Sequence, residues 1–253
     1  AGGWYADPFL LKKDGALWLF AEYFSYRFGR GLISCCRFDA EKQCFSAWKE
    51  VLCEPFHLSY PQVFCRGEDV YMLPETGEAG QLLLYRAVSF PDRWEKCAVL
   101  QRDVRWVDAT LLPDEKRLIA YDIQGGEPHA CLLASVENGR VLRDLTGLRP
   151  LLRSRPGGAV LVEGDNWIFP TQNCEKTYGG ELVFYQTDSA FSSFSSLFTL
   201  SPDSLPIWGE TAPVLGVHTY NRTDEIEVVD YKTETVSPVR ILHRILQKTG
   251  VEK

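Results

Sequence analysis

The sequence predicts an all-β protein, a five-bladed β-propeller, because one pattern recurs from end to end. The pattern is a short apolar strand, a tight polar turn and a second apolar strand, and it returns roughly every 50 residues. The five copies start at Ala6 (ADPFLLKKDGALWLFAEY), Tyr60 (YPQVFCRGEDVYMLPET), Val107 (VDATLLPDEKRLIAYD), Gly157 (GGAVLVEGDNWIFPTQN) and Val217 (VHTYNRTDEIEVVDYK). Further β-rich runs between the copies, such as QLLLYRAV and ELVFYQT, supply the additional strands of each blade.

The repeats span the chain, so residues 1–253 are predicted to form one propeller domain. Hydrophobic residues make up 45% of the chain and aromatic residues 13%, enough to bury a large core. The first residues already belong to the first predicted strand, so we expect further sequence upstream, as in a domain excised from a longer chain. The amphipathic segment from Val236 to Lys253 is read as a last strand running into a short helix.

Charge and hydropathy exclude several classes of partner. A net charge of −7 with dispersed basic residues argues against nucleic acid, which is bound by clustered Lys and Arg. No apolar run approaches the roughly 18 residues that a membrane-spanning helix needs, so no membrane span is expected. The eight cysteines contain no C-x-x-C pair and no histidine at metal spacing. We therefore expect no bound metal or cofactor, free thiols and a reducing, cytoplasmic setting.

Aligning the turns of the five repeats brings polar residues into register. The alignment places Asp7, Tyr60, Asp108, Gly157 and Val217 at nearly one position, with His218 one residue further on. At the far end of the second strand it places a second set, namely Glu22, Glu75, Asp122 or Ile123, Gln172 and Lys232. In a propeller the innermost strands line the central channel, so these positions are expected to converge.

Three carboxyl groups of this set are candidates for acid and base chemistry. Asp7 and Asp108 hold matching positions in the first and third repeats, and Glu75 ends the second strand of the second repeat. Carboxyls that share one pocket can be held in different protonation states, as general acid and base catalysis requires. The alternative is that the two aspartates cap turns or bond neighbouring backbone.

The fourth and fifth repeats add groups that suit a hydroxyl-rich ligand. Sugars need hydrogen-bonding partners for their hydroxyls and apolar faces for their rings. The predicted ligand is a carbohydrate or a nucleotide sugar, and the predicted substrate-binding residues are Tyr60, Arg155, Gln172, Asn173, Tyr178 and His218. Trp4 and Tyr5 are expected near by. His218 could equally be a satisfied inner-strand histidine.

Taken together, the motifs resemble a known family. The ADP opening, HLSYPQVF followed by YMLPET, FPDRWE followed by VDATL, SRPGG, PTQNCEKTYGG and GVHTYN resemble the N-terminal propeller domain of glucosamine inositolphosphorylceramide transferases and related bacterial sugar-modifying proteins. The resemblance covers nearly the whole chain. It implies a glycoconjugate context, with a fused or associated glycosyltransferase or formyltransferase domain.

A more distant resemblance links the chain to the five-bladed glycosidase superfamily. It implies that Asp7 acts as base or nucleophile and that Asp108 orients groups and tunes a pKa. The general acid departs from the superfamily pattern, because the later blade that usually supplies it offers Gln172 and Arg155 instead. This leaves Glu75 as the candidate acid, with Glu22 and Glu210 as weaker substitutes.

Two functions follow from this reading, and a third stays open. The first is glycosidase-type hydrolysis or transfer, which inverts or retains configuration according to the carboxyl separation, about 6.5–9.5 Å or about 5 Å. The second is a non-catalytic sugar-binding or scaffolding domain of a larger biosynthetic enzyme. The third is a protein-interaction propeller, since a fold alone does not determine a function.

Overall fold

The computed structural model describes residues 2–133, 141–144, 155–205, 212–224 and 226–233. Regular structure in these ranges is β-sheet apart from two single-turn 3-10 helices, Gly77–Ala79 and Pro202–Ser204. No helix in this part of the chain is long and apolar enough to cross a membrane. Glu210 and the amphipathic segment from Val236 lie outside the described residues.

The described strands form five antiparallel sheets, each built from consecutive segments of the chain. The first sheet contains β1 (Gly3–Lys13), β2 (Ala16–Ser25), β3 (Arg30–Asp39), β4 (Cys44–Phe45) and β5 (Lys49–Leu52). The second contains β6 (Ser59–Arg66), β7 (Asp69–Glu75), β8 (Gln81–Ser89) and β9 (Arg93–Arg102). All-β architecture is thus confirmed.

The other three sheets follow in chain order. The third contains β10 (Trp106–Leu111), β11 (Arg117–Asp122), β12 (Glu127–Leu133) and β13 (Val141–Asp144). The fourth contains β14 (Leu161–Glu163), β15 (Asn166–Asn173), β16 (Glu181–Asp188) and β17 (Ser195–Leu200). The fifth has two described strands, β18 (Val214–Arg222) and β19 (Glu227–Thr233). Each predicted repeat is the first hairpin of one sheet.

Tight turns join the strands of the hairpins. Between β1 and β2, Asp14 and Gly15 have φ values of 51° and 72°. Positive φ at both central residues is the geometry of a two-residue turn whose twist matches that of the strands, and Asp-Gly is among its preferred sequences. The polar turns in the sequence therefore fix where each hairpin folds back.

Apolar side chains fill the spaces between successive sheets. Phe9, Phe20 and Tyr60 belong to one cluster between the first and second sheets. Three further clusters fill the next interfaces between sheets. Leu73 and Trp106 lie between the second and third sheets, Ile119 and Phe169 between the third and fourth, and Phe184 and Val217 between the fourth and fifth. Each fully buried aromatic or aliphatic side chain contributes about 1.5–3 kcal/mol, so these interfaces hold the sheets face to face.

The fifth sheet also contacts the first. The Asn221 side-chain amide donates a hydrogen bond to the Pro8 carbonyl at 2.6 Å, and the Asp7 N–H donates to Asp230 Oδ2 at 3.0 Å. These bonds join strands that are more than 200 residues apart in sequence. Every sheet therefore contacts its neighbours in chain order, and the last contacts the first.

A β-bulge repeats in the first strand of four sheets. Pairing with the second strand shifts between Ala6 and Phe9, Ser59 and Gln62, Val107 and Thr110, and Val217 and Tyr220. The bulge holds Asp7, Tyr60 and Asp108 at φ values of 52°, 46° and 51°. Left-handed backbone costs a non-glycine residue about 1–2 kcal/mol and is kept only where surrounding contacts hold it.

The bulge confirms most of the predicted register and corrects one detail. In the fifth sheet the bulge contains His218 and Thr219, so His218 rather than Val217 corresponds to Asp7. The residues opposite the bulges are Glu22, Glu75, Tyr121 and Tyr231. Asp122 ends β11 and Lys232 is the last residue but one of β19, so both lie at the far end of the second strand as predicted, one residue beyond the position opposite the bulge.

Candidate functional site

Asp7 lies at the contact between the first, second and fifth sheets. Its side chain is 7% exposed and accepts hydrogen bonds at both oxygens: from the Tyr60 N–H at 3.2 Å and from the Thr219 hydroxyl at 2.7 Å. His218 Nε2 lies 3.4 Å from the same oxygen as the Thr219 hydroxyl. The bulge is what turns this carboxylate toward the other sheets.

Asp230 on β19 stabilises the Asp7 bulge through a hydrogen bond to its backbone and an ion pair with His218. It accepts the backbone N–H groups of Asp7, His218 and Thr219 at 3.0, 3.2 and 2.8 Å, and it pairs with His218 Nδ1 at 2.7 Å. Burial opposes its charge, but the His218 cation and the hydrogen bonds hold the pKa of Asp230 below its ordinary value.

His218 is a cation in this arrangement. Burial again opposes the charge, yet the carboxylates of Asp230 and Asp7 raise the pKa of His218 to about 10. Its two ring nitrogens both face carboxylate oxygens, at 2.7 and 3.4 Å. Potential ligand atoms of Asp7, His218 and Asp230 all lie within 4.8 Å of one another. With His218 protonated, the three residues form an ion-pair network.

Asp108 occupies the same bulge position in the third sheet but has a different partner. Arg155 Nε lies 2.5 Å from Asp108 Oδ2, and Arg155 Nη2 lies 3.6 Å from Glu75 Oε2. The Gln172 amide donates to Asp108 Oδ2 at 3.2 Å and to the Pro156 carbonyl at 2.8 Å. One guanidinium thus links two of the predicted catalytic carboxyls, with Gln172 beside them.

Asp7 and Glu75 titrate in different ranges. Burial, together with the charges of Asp230 and Asp108, raises the pKa of Asp7 to about 6, although His218 opposes the shift. Burial and the charge of Asp108 raise the pKa of Glu75 to about 8, although Arg155 opposes it. At pH 7 Asp7 is therefore mainly ionised and Glu75 mainly protonated, which is the distribution that separates a base from an acid.

Glu22 is a fourth carboxyl of this cluster, although the sequence indicated it only as a weaker substitute for the acid. It is 4% exposed and pairs with Ala6 across β1 and β2, next to Asp7. Burial and the neighbouring charges of Asp7 and Glu75 raise its pKa well above the ordinary value. His57 Nε2 lies 3.6 Å from Glu22 Oε1, while His57 Nδ1 accepts the Gly31 N–H at 2.9 Å.

A cavity of about 360 Å³ lies next to the ion-pair network of Asp7, His218 and Asp230. Its lining includes aromatic and charged side chains, among them Trp4, Tyr26, Tyr178, His218, Asp230 and Tyr231. Tyr178 is 54% exposed, and its ring centroid lies 5.7 Å from that of His218 and 5.2 Å from the Arg155 guanidinium carbon. Aromatic faces beside charged and hydrogen-bonding groups suit the two kinds of surface on a sugar ring.

The structure brings most of the predicted site residues together, but two lie apart. Tyr60 has no exposed surface, and its hydroxyl bonds Thr110 and both backbone groups of Gly158. The expectation that it contacts a ligand is corrected, because a fully buried ring with a satisfied hydroxyl belongs to the core. Asn173 accepts the Glu175 N–H and bonds Glu181, so it stabilises the end of β15 instead of joining the carboxyl cluster.

Sequence reasoning missed Asp230, Thr219 and His57. Asp230 carried one usable signal, a charged residue inside the apolar run Val228-Val229-Asp230-Tyr231. Thr219 and His57 carried none, because each acts through a residue that is distant in sequence.

Solved structures with similar folds are carbohydrate-active enzymes. An α-L-arabinofuranosidase from Podospora anserina, solved with cellotriose, superposes with a TM-score of 0.66 at 14% identity and covers 87% of this chain and 76% of its own. A GH43 β-xylosidase/α-arabinofuranosidase from a compost microbial metagenome, solved with xylotriose, gives a TM-score of 0.63 at 9% identity and coverages of 90% and 85%. The chain therefore shares the all-β fold class of these structures.

Within that class the sequence identifies a family. The chain belongs to the family described as glucosamine inositolphosphorylceramide transferase 1, N-terminal, whose model matches residues 1–127. The transferase of that name from Arabidopsis thaliana is 37% identical over 111 residues, which cover 44% of this chain and 14% of that protein. The protein from Oryza sativa subsp. indica is 30% identical over 194 residues, covering 72% of this chain and 26% of its own. The chain thus corresponds to about a quarter or less of these relatives.

Proposed function

We propose that the five sheets are the blades of a closed five-bladed propeller, forming a single domain with a carbohydrate-active site of glycosidase type at its axis. The order of the sheets and the hydrogen bonds between the fifth and the first support the closed ring. A ring of this kind gathers the first strand of each sheet around one channel, which is where the carboxyl cluster lies.

The observation that carries the proposal is the difference in pKa between two neighbouring carboxyls, Asp7 and Glu75. Glu75, protonated near neutral pH, donates its proton to the leaving-group oxygen as the glycosidic bond breaks. Asp7, ionised at the same pH, either accepts a proton from the attacking water or attacks the anomeric carbon itself. Asp108 keeps the pKa of Glu75 high, and Arg155 fixes both carboxyls.

The remaining polar groups hold the substrate. Tyr178 offers a ring face at the cavity, His218 contributes its ring to the lining, and Arg155 lies against the Tyr178 ring as a charged hydrogen-bond donor. Gln172 is fully engaged with Asp108 and Pro156, so we assign it to positioning Asp108.

Hydrolysis of aryl glycosides tests the proposal. Nitrophenyl arabinofuranoside, xyloside, galactoside and glucosaminide form the panel, with Asp7→Asn, Glu75→Gln and the exposed Asp224→Asn as matched variants. We expect Asp7→Asn and Glu75→Gln to lower kcat/KM by about 10²–10⁴, the usual contribution of a general acid or base, and Asp224→Asn to leave it unchanged. Undiminished turnover in Asp7→Asn rules out the carboxylate mechanism.

The pH profile gives a second test. Activity requires ionised Asp7 and protonated Glu75, so kcat/KM is expected to rise through about pH 6 and fall through about pH 8. In Glu75→Gln the limb near pH 8 should disappear from any residual activity. A wild-type profile that is flat between pH 5 and 9 contradicts the assignment. Proton NMR of the first product distinguishes inversion from retention.

A second candidate function is non-catalytic sugar binding within a larger glycoconjugate-biosynthesis enzyme. It is favoured by the enclosure of Asp7, both of whose oxygens already accept protein hydrogen bonds. The names and lengths of the relatives agree with a transferase that carries further domains, such as a glycosyltransferase or formyltransferase module. If the domain has this function, no glycoside of the panel should be hydrolysed. Calorimetry should instead detect sugar binding, and Arg155→Ala or Tyr178→Ala should weaken it.

A cytoplasmic location belongs to the same proposal. The seven cysteines whose side chains the structure describes are free, two of them, Cys35 and Cys36, in the buried core. Free thiols in this number suit a reducing compartment. Fractionation of the native cell, followed by thiol alkylation of the denatured protein, tests the location and the redox state together.

A further inference from the structure

The outermost strand of the fourth sheet, β17, is exposed along almost its whole length. It pairs with β16 on one side, and no strand of the described part of the chain pairs with its other side. Residues 195–199 are all exposed, and the exposed fractions of Leu197 and Phe198 are 44% and 52%. A free strand edge carries N–H and C=O groups that can pair with another strand. The edge of β17 is therefore a candidate surface for association.

The Phe198 ring connects this edge to the core of the sheet. It stacks on the Phe184 ring with the centroids 4.3 Å apart and an interplanar angle of 16°, and Phe184 is buried. One face of Phe198 therefore covers the core, and much of the remaining ring surface faces solvent. Removing such apolar surface from water stabilises a complex by about 25 cal/mol per Å². Backbone pairing at this edge would thus be reinforced by apolar contact.

The β17 strand lacks the charges that protect other outer strands. Natural sheets prevent edge-to-edge pairing with charged side chains, with Pro and with bulges. β17 contains no charged residue and no Pro, and its one protective feature is a bulge at Leu197. The outer strands β9 and β13 combine bulges with charges. The charged residues of outer strands in the first three sheets are Lys49 and Glu50 in β5, Arg93, Glu95, Lys96 and Arg102 in β9, and Arg143 and Asp144 in β13.

The lack of charge extends well beyond the strand. Residues 189–202 contain no Asp, Glu, Lys or Arg, and no other run of the sequence without these residues is as long. The whole chain carries a net charge of −7, so two copies repel each other in most orientations. An approach through residues 189–202 sets no charge of one copy directly against a charge of the other. Electrostatics therefore favours self-association at this edge over self-association elsewhere.

We propose that β17 is a homodimer interface, in which the free edges of two copies pair antiparallel about a two-fold axis near Leu197 and Phe198. A two-fold axis sets the strand against itself with N–H groups opposite C=O groups, which is the geometry of an antiparallel ladder. The axis also brings the exposed apolar side chains of both copies together. Because both copies use the same edge, assembly closes at two chains. The inference goes beyond the proposed function and does not depend on it.

Sedimentation equilibrium between about 1 and 100 µM tests the interface. The wild-type chain is compared with Leu197→Lys/Thr199→Lys and with the control Val88→Lys/Ile123→Lys, which changes the net charge equally at exposed positions outside the fourth sheet. We expect the wild type and the control to dimerise within this range. The β17 variant should dimerise at least about a hundredfold more weakly, because four lysines then face one another.

Hydrogen exchange locates the contact. In the wild type, the amides of residues 195–200 should exchange more slowly at high protein concentration than in dilute solution, because the second copy supplies their partners. Leu197→Lys/Thr199→Lys should lose this difference. The variant keeps Phe198 and its stack on Phe184, and thermal unfolding checks that both variants fold. Exchange in the wild type tests the contact even where the lysine variant is destabilised.

The remaining outcomes overturn the homodimer. A chain that stays monomeric up to about 100 µM has no such interface. A dimer that Leu197→Lys/Thr199→Lys weakens no more than the control is held by another surface. Assembly beyond two chains contradicts the two-fold arrangement. Slower exchange of the β17 amides that appears only in a longer chain, at any concentration, assigns the edge to another domain instead of a second copy.

Discussion

Asp7 and Asp108 hold the same position in two copies of one repeat, yet the molecule surrounds them differently. Both sit in a left-handed bulge at the start of a sheet. Asp7 is held by a backbone N–H, a hydroxyl and a histidine that a second aspartate supports. Asp108 is held by an arginine and an amide. The repeated bulge therefore fixes the position of the carboxylate, while residues of the neighbouring sheets determine its hydrogen bonds and ion pairs.

Removing Asp230 should have the largest effect, because it breaks the Asp7 side of the comparison. Asp230→Ala leaves three backbone N–H groups without an acceptor and the His218 cation without its nearest carboxylate. We expect unfolding free energy to fall by about 4 kcal/mol, as for a broken buried ion pair. Urea denaturation measures it, and Asp224→Ala in the same hairpin should change stability by less than about 0.5 kcal/mol.

Removing Arg155 breaks the Asp108 side. Arg155→Met leaves Asp108 and Glu75 without their shared cation, and we expect a loss of about 3 kcal/mol in urea denaturation. Because Arg155 lowers the pKa of Glu75, its loss should also move the titration of Glu75 to higher pH. An unchanged Glu75 titration by carbon-13 NMR would show that the two groups are not coupled.

Tyr60 replaces an aspartate at the equivalent bulge of the second sheet and tests whether that position is structural there. Tyr60→Phe removes a hydroxyl that bonds Thr110 and both backbone groups of Gly158, all buried. We expect a loss of about 2 kcal/mol, the penalty for leaving such groups unsatisfied. Tyr185→Phe is the control, since the Tyr185 hydroxyl has no hydrogen bond to the described residues; equal losses would contradict the interpretation.

The smallest expected effect is a pH dependence of folding stability, which comes from the raised pKa of Glu75 beside Asp108. The folded-state pKa of Glu75 is raised from 4.5 to about 8, so the unfolded state loses its proton first and stability declines as pH rises toward 8. Between pH 7 and 9 this decline amounts to about 1 kcal/mol, and Glu75→Gln should lack it. Chemical denaturation of both proteins at the two pH values measures the difference. Parallel pH dependences would mean that the Glu75 pKa is not raised.

The parts of the molecule that repeat could be predicted from the sequence, and the parts that depend on contacts between distant sheets could not. Turn signals and apolar alternation indicated the hairpins, and their alignment indicated the positions of Asp7, Tyr60 and Asp108. The enclosure of Glu22 and the support of Asp7 by Thr219 and Asp230 arise from contacts between sheets, including contacts between residues more than 200 positions apart. No local pattern encodes such pairings.

The bonds from Asp7 to Thr219 and Asp230 also matter during synthesis of the chain. Asp7 is translated more than 200 residues before Thr219 and Asp230, so its strained bulge cannot acquire these partners until that stretch has been synthesised. In the nascent chain the Asp7 carboxylate therefore lacks the contacts that bury it in the folded protein. Its charge cluster is completed in one late step, so a truncated translation product would lack the site rather than possess a weakened one.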